Sequence, residues 1–259
     1  MTLELSKISK TYDGGGTYAV DDVSFTAQSG EMVVLVGESG CGKTTTLKTI
    51  NRLIEPTGGQ ILVDGIDVAA TDPVELRRSI GYVFQGIGLF PHMSIGRNVG
   101  IIPRLLGWNE GRITRRVCEL LELVRLDPGK YGSRMPGELS GGQRQRVGFA
   151  RALAAGPSLM LLDEPFGALD PITREELRTE FAEIQRRLDL TAVLVTHDMT
   201  EALLMGDRII VMRSGRILRQ GSPRDMMRDP GDRYVARLMA SPRHQASRLA
   251  EIVEQGNEA

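Results

Sequence analysis

An α/β domain built on a parallel sheet is the fold this chain predicts, and three observations predict it. Met32–Val36, Leu159–Asp163 and Ala192–Thr196 are short apolar runs without the alternation of a half-buried strand, the pattern of strands covered on both faces. Between them lie stretches of helical period, with Ile113, Val117, Leu120, Leu121 and Val124 on one face of one, and Ile172, Leu177, Phe181, Ile184 and Leu188 on another. The first run breaks at Gly37 into a glycine loop and then into a third helical stripe of Thr46, Leu47, Ile50, Leu53 and Ile54. With 259 residues, 41% of them hydrophobic, the chain has the size of one large domain with room for an inserted subdomain.

The remaining elements follow in order. Leu3, Leu5 and Ile8 with polar residues between them read as a half-buried strand, the turn Asp13–Gly16 follows, and a second strand lies around Val20 to Ala27, so an antiparallel sheet is expected at the front. Glu55–Gly59 ends the first helix, Gln60–Val63 is a strand, and Asp64-Gly65 a turn. Asp72 is placed to cap a helix with Pro73 at its first position, and Ile80–Phe84 is another buried strand. The segment Gly86–Met93 is apolar, loop-like and hard to bury within its own chain, which marks a partner surface. His92 belongs to that surface, since no second His or Cys lies at metal-ligand spacing. From Ser94 to about Gly156 the pattern is helical, with Arg112, Arg115, Arg116 and Glu119 on solvated faces. Near the end, Arg208–Met212 and Ile217–Gln220 flank Ser214-Gly215 as a hairpin, and short helices with a polar tail are expected from Pro223.

The chemistry is concentrated in a few places. Gly37-Glu38-Ser39-Gly40-Cys41-Gly42-Lys43-Thr44-Thr45 matches the Gly-x-x-x-x-Gly-Lys-Ser/Thr pattern, in which glycines turn backbone N–H groups onto phosphate oxygens. Lys43 supplies a point charge for the β- and γ-phosphates, Thr44 a hydroxyl for Mg²⁺, and Thr45 lies near the α-phosphate. Tyr12, at the end of the first strand, is a stacking platform for a nucleotide base. Ser140 is an N-cap candidate opening a helix whose Gly141 and Gly142 leave the backbone accessible to a ligand. Asp163 and Glu164 place two carboxylates at the end of a buried strand, a costly arrangement without cations nearby. His197 follows another strand end, the edge of an open α/β sheet where ligands bind.

Composition narrows the class. A net charge of −1 gives no global attraction to nucleic acid or to an anionic lipid surface, so membrane association is expected to run through a protein partner. Cys41 and Cys118 make no disulfide framework and suit a reducing compartment. The N-terminus has no apolar signal region and no apolar run reaches bilayer-spanning length, so a cytoplasmic chain is expected.

Together these stretches resemble the ATP-binding cassette ATPases over essentially the whole chain up to about Gly221. Gly37–Thr45 is similar to the family's Walker A loop, Gln85 to its Q-loop, Leu139–Gln143 to its signature, Leu159–Asp163 to its Walker B strand, Ala168-Leu169-Asp170 to its D-loop and His197 to its switch histidine. The resemblance implies a P-loop NTPase with a RecA-like core, an antiparallel β subdomain, an α-helical subdomain inserted at about 91–157, and a short helical tail over 222–259 after a cassette spanning 1–221. It also implies MgATP bound between two copies of the chain, each Walker A loop closed by the partner's Ser140, Gly141, Gly142 and Gln143. In that scheme Thr44 and Gln85 hold Mg²⁺ with Asp163 in support, Glu164 activates water, His197 senses the γ-phosphate, and Asp170 couples the two sites.

A closer resemblance is to the ATPase subunits of osmoprotectant importers, which serve quaternary amines such as glycine betaine, choline and proline betaine. It is carried by Asp72–Arg78, Gly88–Met93 and Asp163–Arg174. It implies integral membrane permease subunits as partners, a substrate-binding protein indirectly, and a peripheral place on the cytoplasmic face of the membrane. Gly86 departs from relatives that carry a second glutamine after the Ile80–Phe84 strand, and the regulation that a nucleotide-sensing tail gives some of them is not expected here. The same engine serving methionine, polyamines or sugars, and a soluble non-transport cassette, are the alternative readings; neither the coiled-coil insertion nor the second cassette of the soluble class is present in this sequence.

Overall fold

A computed structural model describes residues 2–13, 16–240, 242, 244, 247 and 248. The turn residues Gly14 and Gly15 and most of the polar tail beyond residue 240 lie outside them. The chain opens with β1 (Leu3–Thr11) and β2 (Tyr18–Ala27), then β3 (Met32–Val36), α1 (Lys43–Ile50), β4 (Gly58–Val63) and β5 (Ile66–Asp67). Next come α2 (Pro73–Ser79), β6 (Gly81–Val83) and the helices α3 (Ile95–Val99), α4 (Ile101–Leu105), α5 (Glu110–Leu123), α6 (Pro128–Tyr131) and α7 (Gly141–Ala152). The last part holds β7 (Leu159–Asp163), α8 (Pro171–Arg187), β8 (Thr191–Thr196), α9 (Met199–Met205), β9 (Arg208–Arg213), β10 (Arg216–Gly221), α10 (Pro223–Arg228) and a helix over 233–240.

The strands form two sheets. The front sheet runs β2-β1-β4-β5 and is antiparallel, as its alternating pattern predicts. Its first strand keeps Leu3, Leu5 and Ile8 inward although their spacing is uneven: a register shift between Leu5 and Ile8, with Lys7 at φ 54°, inserts the extra residue. The second sheet runs β10-β9-β3-β8-β7-β6, parallel from β9 to β6 with β10 added antiparallel at its edge. Every residue of β3, β7 and β8 is buried, which accounts for their unbroken apolar runs. One face of this sheet packs on the front sheet and α1, the other on the helices, α7 and α8 among them, where Phe149 stacks on Phe181 at 5.0 Å.

Two helical stripes come out shorter than their periodicity. α1 stops at Ile50, because Arg52 takes φ 55° and its guanidinium bonds the carbonyls of Val68 and Thr71, leaving Leu53 exposed and Ile54 outside the helix. In α8 the core face begins at Leu177; Ile172, in the first turn, is 74% exposed, and Leu188 falls after the last turn and is exposed. The segment from α10 onward is better buried than a polar tail: Met226 of α10 and, after it, Tyr234, Val235 and Met239 belong to the main core.

Candidate functional site

The parallel strands deliver their C-terminal ends to one edge, and the site assembles there. β3 ends at Val36 and the glycine loop begins. A Cβ on Gly37 would lie 2.2 Å from the Met212 carbonyl oxygen, and one on Gly42, at φ +103°, 2.3 Å from that of Ala19, so neither position admits a side chain. Gly42 caps α1 without a side-chain hydrogen bond, so the first amides of the helix, from Lys43, Thr44 and Thr45, are donors without helical partners. Such a helix end attracts an anion.

Lys43 is only 5% exposed, and its Nζ donates to the carbonyls of Gly37 at 2.7 Å and Glu38 at 2.8 Å. The ammonium is thus kept inside the loop by the loop's own oxygens. Cys41 is buried beneath it, its Sγ 3.6 Å from Nζ, whereas Glu38, Ser39 and Gly40 are exposed on the rim. Neither cysteine is in a disulfide.

Thr44 donates its hydroxyl to Asp163 Oδ1 at 2.8 Å, joining the loop to the end of β7. Asp163 is 3% exposed, and its other oxygen accepts from the Tyr82 hydroxyl at 3.4 Å. Burial, reinforced by the Asp163 carboxylate, pushes the Tyr82 phenol well above its ordinary range, so it remains a donor. Among the described residues, the partners of this buried carboxylate are hydroxyls rather than Lys or Arg. Hard oxygen donors in that setting fit Mg²⁺.

Glu164 follows at φ 45°, its N–H donating to Val195 O across to β8 at 3.0 Å. This left-handed residue turns its carboxylate into the space between two loops. Oε2 accepts from Gln85 Nε2 at 3.3 Å and lies 3.4 Å from His197 Nδ1. Gln85 follows β6 and His197 follows β8, so three strand ends meet at one carboxylate. Behind His197, the Thr196 hydroxyl accepts from Asp198 N at 3.0 Å. Thr196 also bonds Glu201, a carboxylate 5% exposed whose pKa burial raises, with Asp198 adding to the rise.

The structure therefore brings Lys43, Thr44, Gln85, Asp163, Glu164 and His197 together. Gly141 lines one groove with Glu164, whereas Ser140, Gln143, Asp170 and Tyr12 make their contacts elsewhere. Ser140 caps α7 in a reciprocal box with Gln143: Gln143 N donates to Ser140 Oγ at 3.3 Å and Ser140 N to Gln143 Oε1 at 3.0 Å. Gln143 also bonds the Tyr131 hydroxyl, and Gly142 packs so close to Thr173 that a Cβ would meet its methyl at 2.5 Å. Asp170 caps α8, accepting from Thr173 N at 3.0 Å, and its bonds to Thr173 hold its carboxyl below the usual range. Tyr12 is largely exposed, with the Lys10 ammonium 5.2 Å from its ring centroid. Tyr82 is the site residue that sequence reasoning missed; its position in the short strand just before Gln85, which pairs with β7 with Tyr82 opposite Leu161, was the available signal.

A phosphate-binding loop opposed by a strand-end Asp-Glu pair, on a RecA-like parallel sheet with an antiparallel subdomain and inserted helices, defines a P-loop ATP-binding cassette. The chain belongs to the ABC transporter family, whose model matches residues 20–167. It is 52% identical over 241 residues to the choline transport ATP-binding protein OpuBA of Bacillus subtilis (93% of this chain, 63% of that protein). It is 46% identical over 233 residues to the glycine betaine uptake system ATP-binding protein YehX of Escherichia coli (90% of this chain, 75% of that protein). It thus spans under two thirds of the length of OpuBA. Among solved structures, the ATP-binding cassette MJ0796, a dimer in a post-hydrolysis state bound to ADP and Pi, superposes with a TM-score of 0.75 at 34% identity, covering 85% of this chain and 98% of that one.

Proposed function

We propose that this chain is the ATP-hydrolysing subunit of an importer, binding MgATP between two copies of itself and driving integral membrane permease subunits that take up quaternary amine osmoprotectants. The observation that carries the reading is the meeting of Gln85, Glu164 and His197 within 3.4 Å beside the Lys43 loop, while the Ser140 hydroxyl is engaged with Gln143 at the start of α7. Each chain then supplies a phosphate loop to one site and a signature helix to the other, and the dimeric MJ0796 structures favour that arrangement. The cargo class rests on the names of relatives such as OpuBA and YehX, and a substrate-binding protein would deliver it. The cassette would sit peripherally at the cytoplasmic face; among the described residues no helix is long and apolar enough to cross a membrane. The division into a cassette over 1–221 and a tail over 222–259 belongs to the same proposal.

In this reading Lys43 leaves the Gly37 and Glu38 carbonyls for the β- and γ-phosphates, and the amides of Lys43, Thr44 and Thr45 with those of Gly40 and Gly42 cradle the chain. Thr44, Gln85 and Asp163 would hold Mg²⁺, which would supply neutralisation of phosphate charge. Glu164 takes the proton of the attacking water, Gln85 and His197 fix its carboxylate, and His197 registers the γ-phosphate. Tyr12 stacks on the base, and the partner's signature amides with Asp170 complete the site. Gly86–Met93, partly exposed beside Arg151, whose guanidinium bonds the carbonyls of Ile87 and Gly88, forms the permease contact.

Glu164→Gln tests the catalytic assignment. The amide keeps the volume and one acceptor oxygen but cannot take a proton, so MgATP binding should survive while turnover falls about 10²–10⁴-fold. The variant should sediment as a dimer with MgATP and as a monomer without it. Turnover at the wild-type rate removes Glu164 from the role, and a monomer carrying a full complement of nucleotide removes the shared site.

A further inference from the structure

The phosphate loop is held from behind by a residue outside every motif. After α10, Asp232 caps the helix over 233–240, accepting from the amides of Tyr234 at 2.7 Å and Val235 at 3.4 Å, and Val235 and Met239 are fully buried in the core. That anchorage carries Tyr234, 4% exposed, to the back of the glycine loop, where its hydroxyl accepts from the N–H of Glu38 at 3.0 Å. The Arg213 guanidinium, at the end of β9, covers the ring at 4.9 Å from its centroid.

The bond falls on a particular peptide. The N–H of Glu38 and the carbonyl of Gly37 are two edges of one planar group, and the Gly37 carbonyl accepts from Lys43 Nζ at 2.7 Å. The peptide that opens the loop is therefore clamped on its N–H edge by the C-terminal helix and on its oxygen edge by the lysine. Packing alone does not call for the hydroxyl, since a phenylalanine ring would meet Arg213 and the core in the same way.

We propose that Tyr234 is a positioning residue for nucleotide binding: its hydroxyl fixes the Gly37–Glu38 peptide, and through that bond the docking of the helix over 233–240 is linked to occupancy of the phosphate loop. This rests on the reading of the loop as a MgATP site. When Lys43 turns to the phosphates, the peptide loses its oxygen-side partner and Tyr234 alone keeps it in register. By reciprocity, whatever tightens the loop tightens the helix.

The test is Tyr234→Phe in the full chain, with MgATP binding, KM and kcat measured beside the amide hydrogen exchange of residues 233–240. One unpaired N–H at the loop weakens nucleotide binding on the order of five- to thirtyfold, with KM rising in parallel and kcat within about twofold, a split expected of a positioning group. In the wild type, MgATP slows exchange in 233–240; in the variant that slowing is lost. A variant that loses thermal stability yet binds MgATP as the wild type does overturns the proposal. So does a wild type whose helix exchanges at the same rate with and without nucleotide, a measurement that needs no variant to fold. A wild-type chain that binds no MgATP at all overturns instead the reading of the loop on which the proposal stands.

Discussion

Two glycines of the phosphate loop, two residues apart in the chain, should respond to the same substitution very differently. Gly40 has φ +78° and nothing within 4 Å of the point where a Cβ would stand, so Gly40→Ala meets only the strain of a left-handed alanine, about 1–2 kcal/mol. Gly42 has φ +103° and its Cβ would stand 2.3 Å from the Ala19 carbonyl oxygen and 3.4 Å from Gly215 Cα. Both neighbours are backbone, one in β2 and the other in the β9–β10 turn, so neither can rotate away. To a strain of about 1–3 kcal/mol this adds an overpacking cost of about 1–3 kcal/mol. Gly42→Ala should then be less stable than Gly40→Ala by about 2 kcal/mol, a gap of roughly 4–8 °C in Tm for a chain of this size. Urea or thermal unfolding of the nucleotide-free proteins measures it. If Gly42→Ala unfolds at the same midpoint as Gly40→Ala, the contact with Ala19 does not constrain the loop and the reasoning fails.

Glu201 supplies a pH prediction. Its folded pKa is raised by burial, so its contribution to stability is fully present below the ordinary value of 4.5 and is lost as pH rises through the folded pKa. Glu201→Gln keeps a neutral group at every pH, so the wild-type Tm should fall relative to the variant's as pH is raised from about 4.5, and a difference that stays constant would show that the carboxylate does not titrate differently in the folded chain. At the proposed permease contact, Leu89→Asp should leave MgATP hydrolysis by the isolated chain within about twofold while lowering transport by the assembled importer; unaltered transport would move the contact elsewhere.

Much of the fold was legible because its causes are local. A strand covered on both faces is apolar along its length, and β3, β7 and β8 are, apart from the polar ends of β7 and β8; a side chain able to bond free amides marks a helix start, and Asp72 and Ser140 do so for α2 and α7. The edges of elements were less legible. α1 ends at Ile50 rather than after Ile54 because the Arg52 guanidinium is drawn to carbonyls sixteen and nineteen residues on, and periodicity carries no record of such a contact. Ile172 looked like the start of a buried stripe because period alone does not say which turn of a helix first meets the core.

What the sequence by itself determined is the inventory of chemistry: a glycine loop with Lys43 and Thr44, a strand-end Asp163-Glu164 pair, and Gln85 and His197 each just past a strand. Their order along the chain states which groups are available, since each motif is a short run whose backbone demands are met by its own residues. Only the tertiary structure decided which groups meet. The strand order β3-β8-β7-β6 brings Thr44 to Asp163 and sets Gln85 and His197 on Glu164, while Tyr82 and Tyr234 reach the site from segments with no motif at all. The reason is physical: hydrogen bonds act over about 3 Å and are indifferent to the length of chain between donor and acceptor, so a contact spanning 196 residues, such as that of Glu38 with Tyr234, exists only once the core has closed.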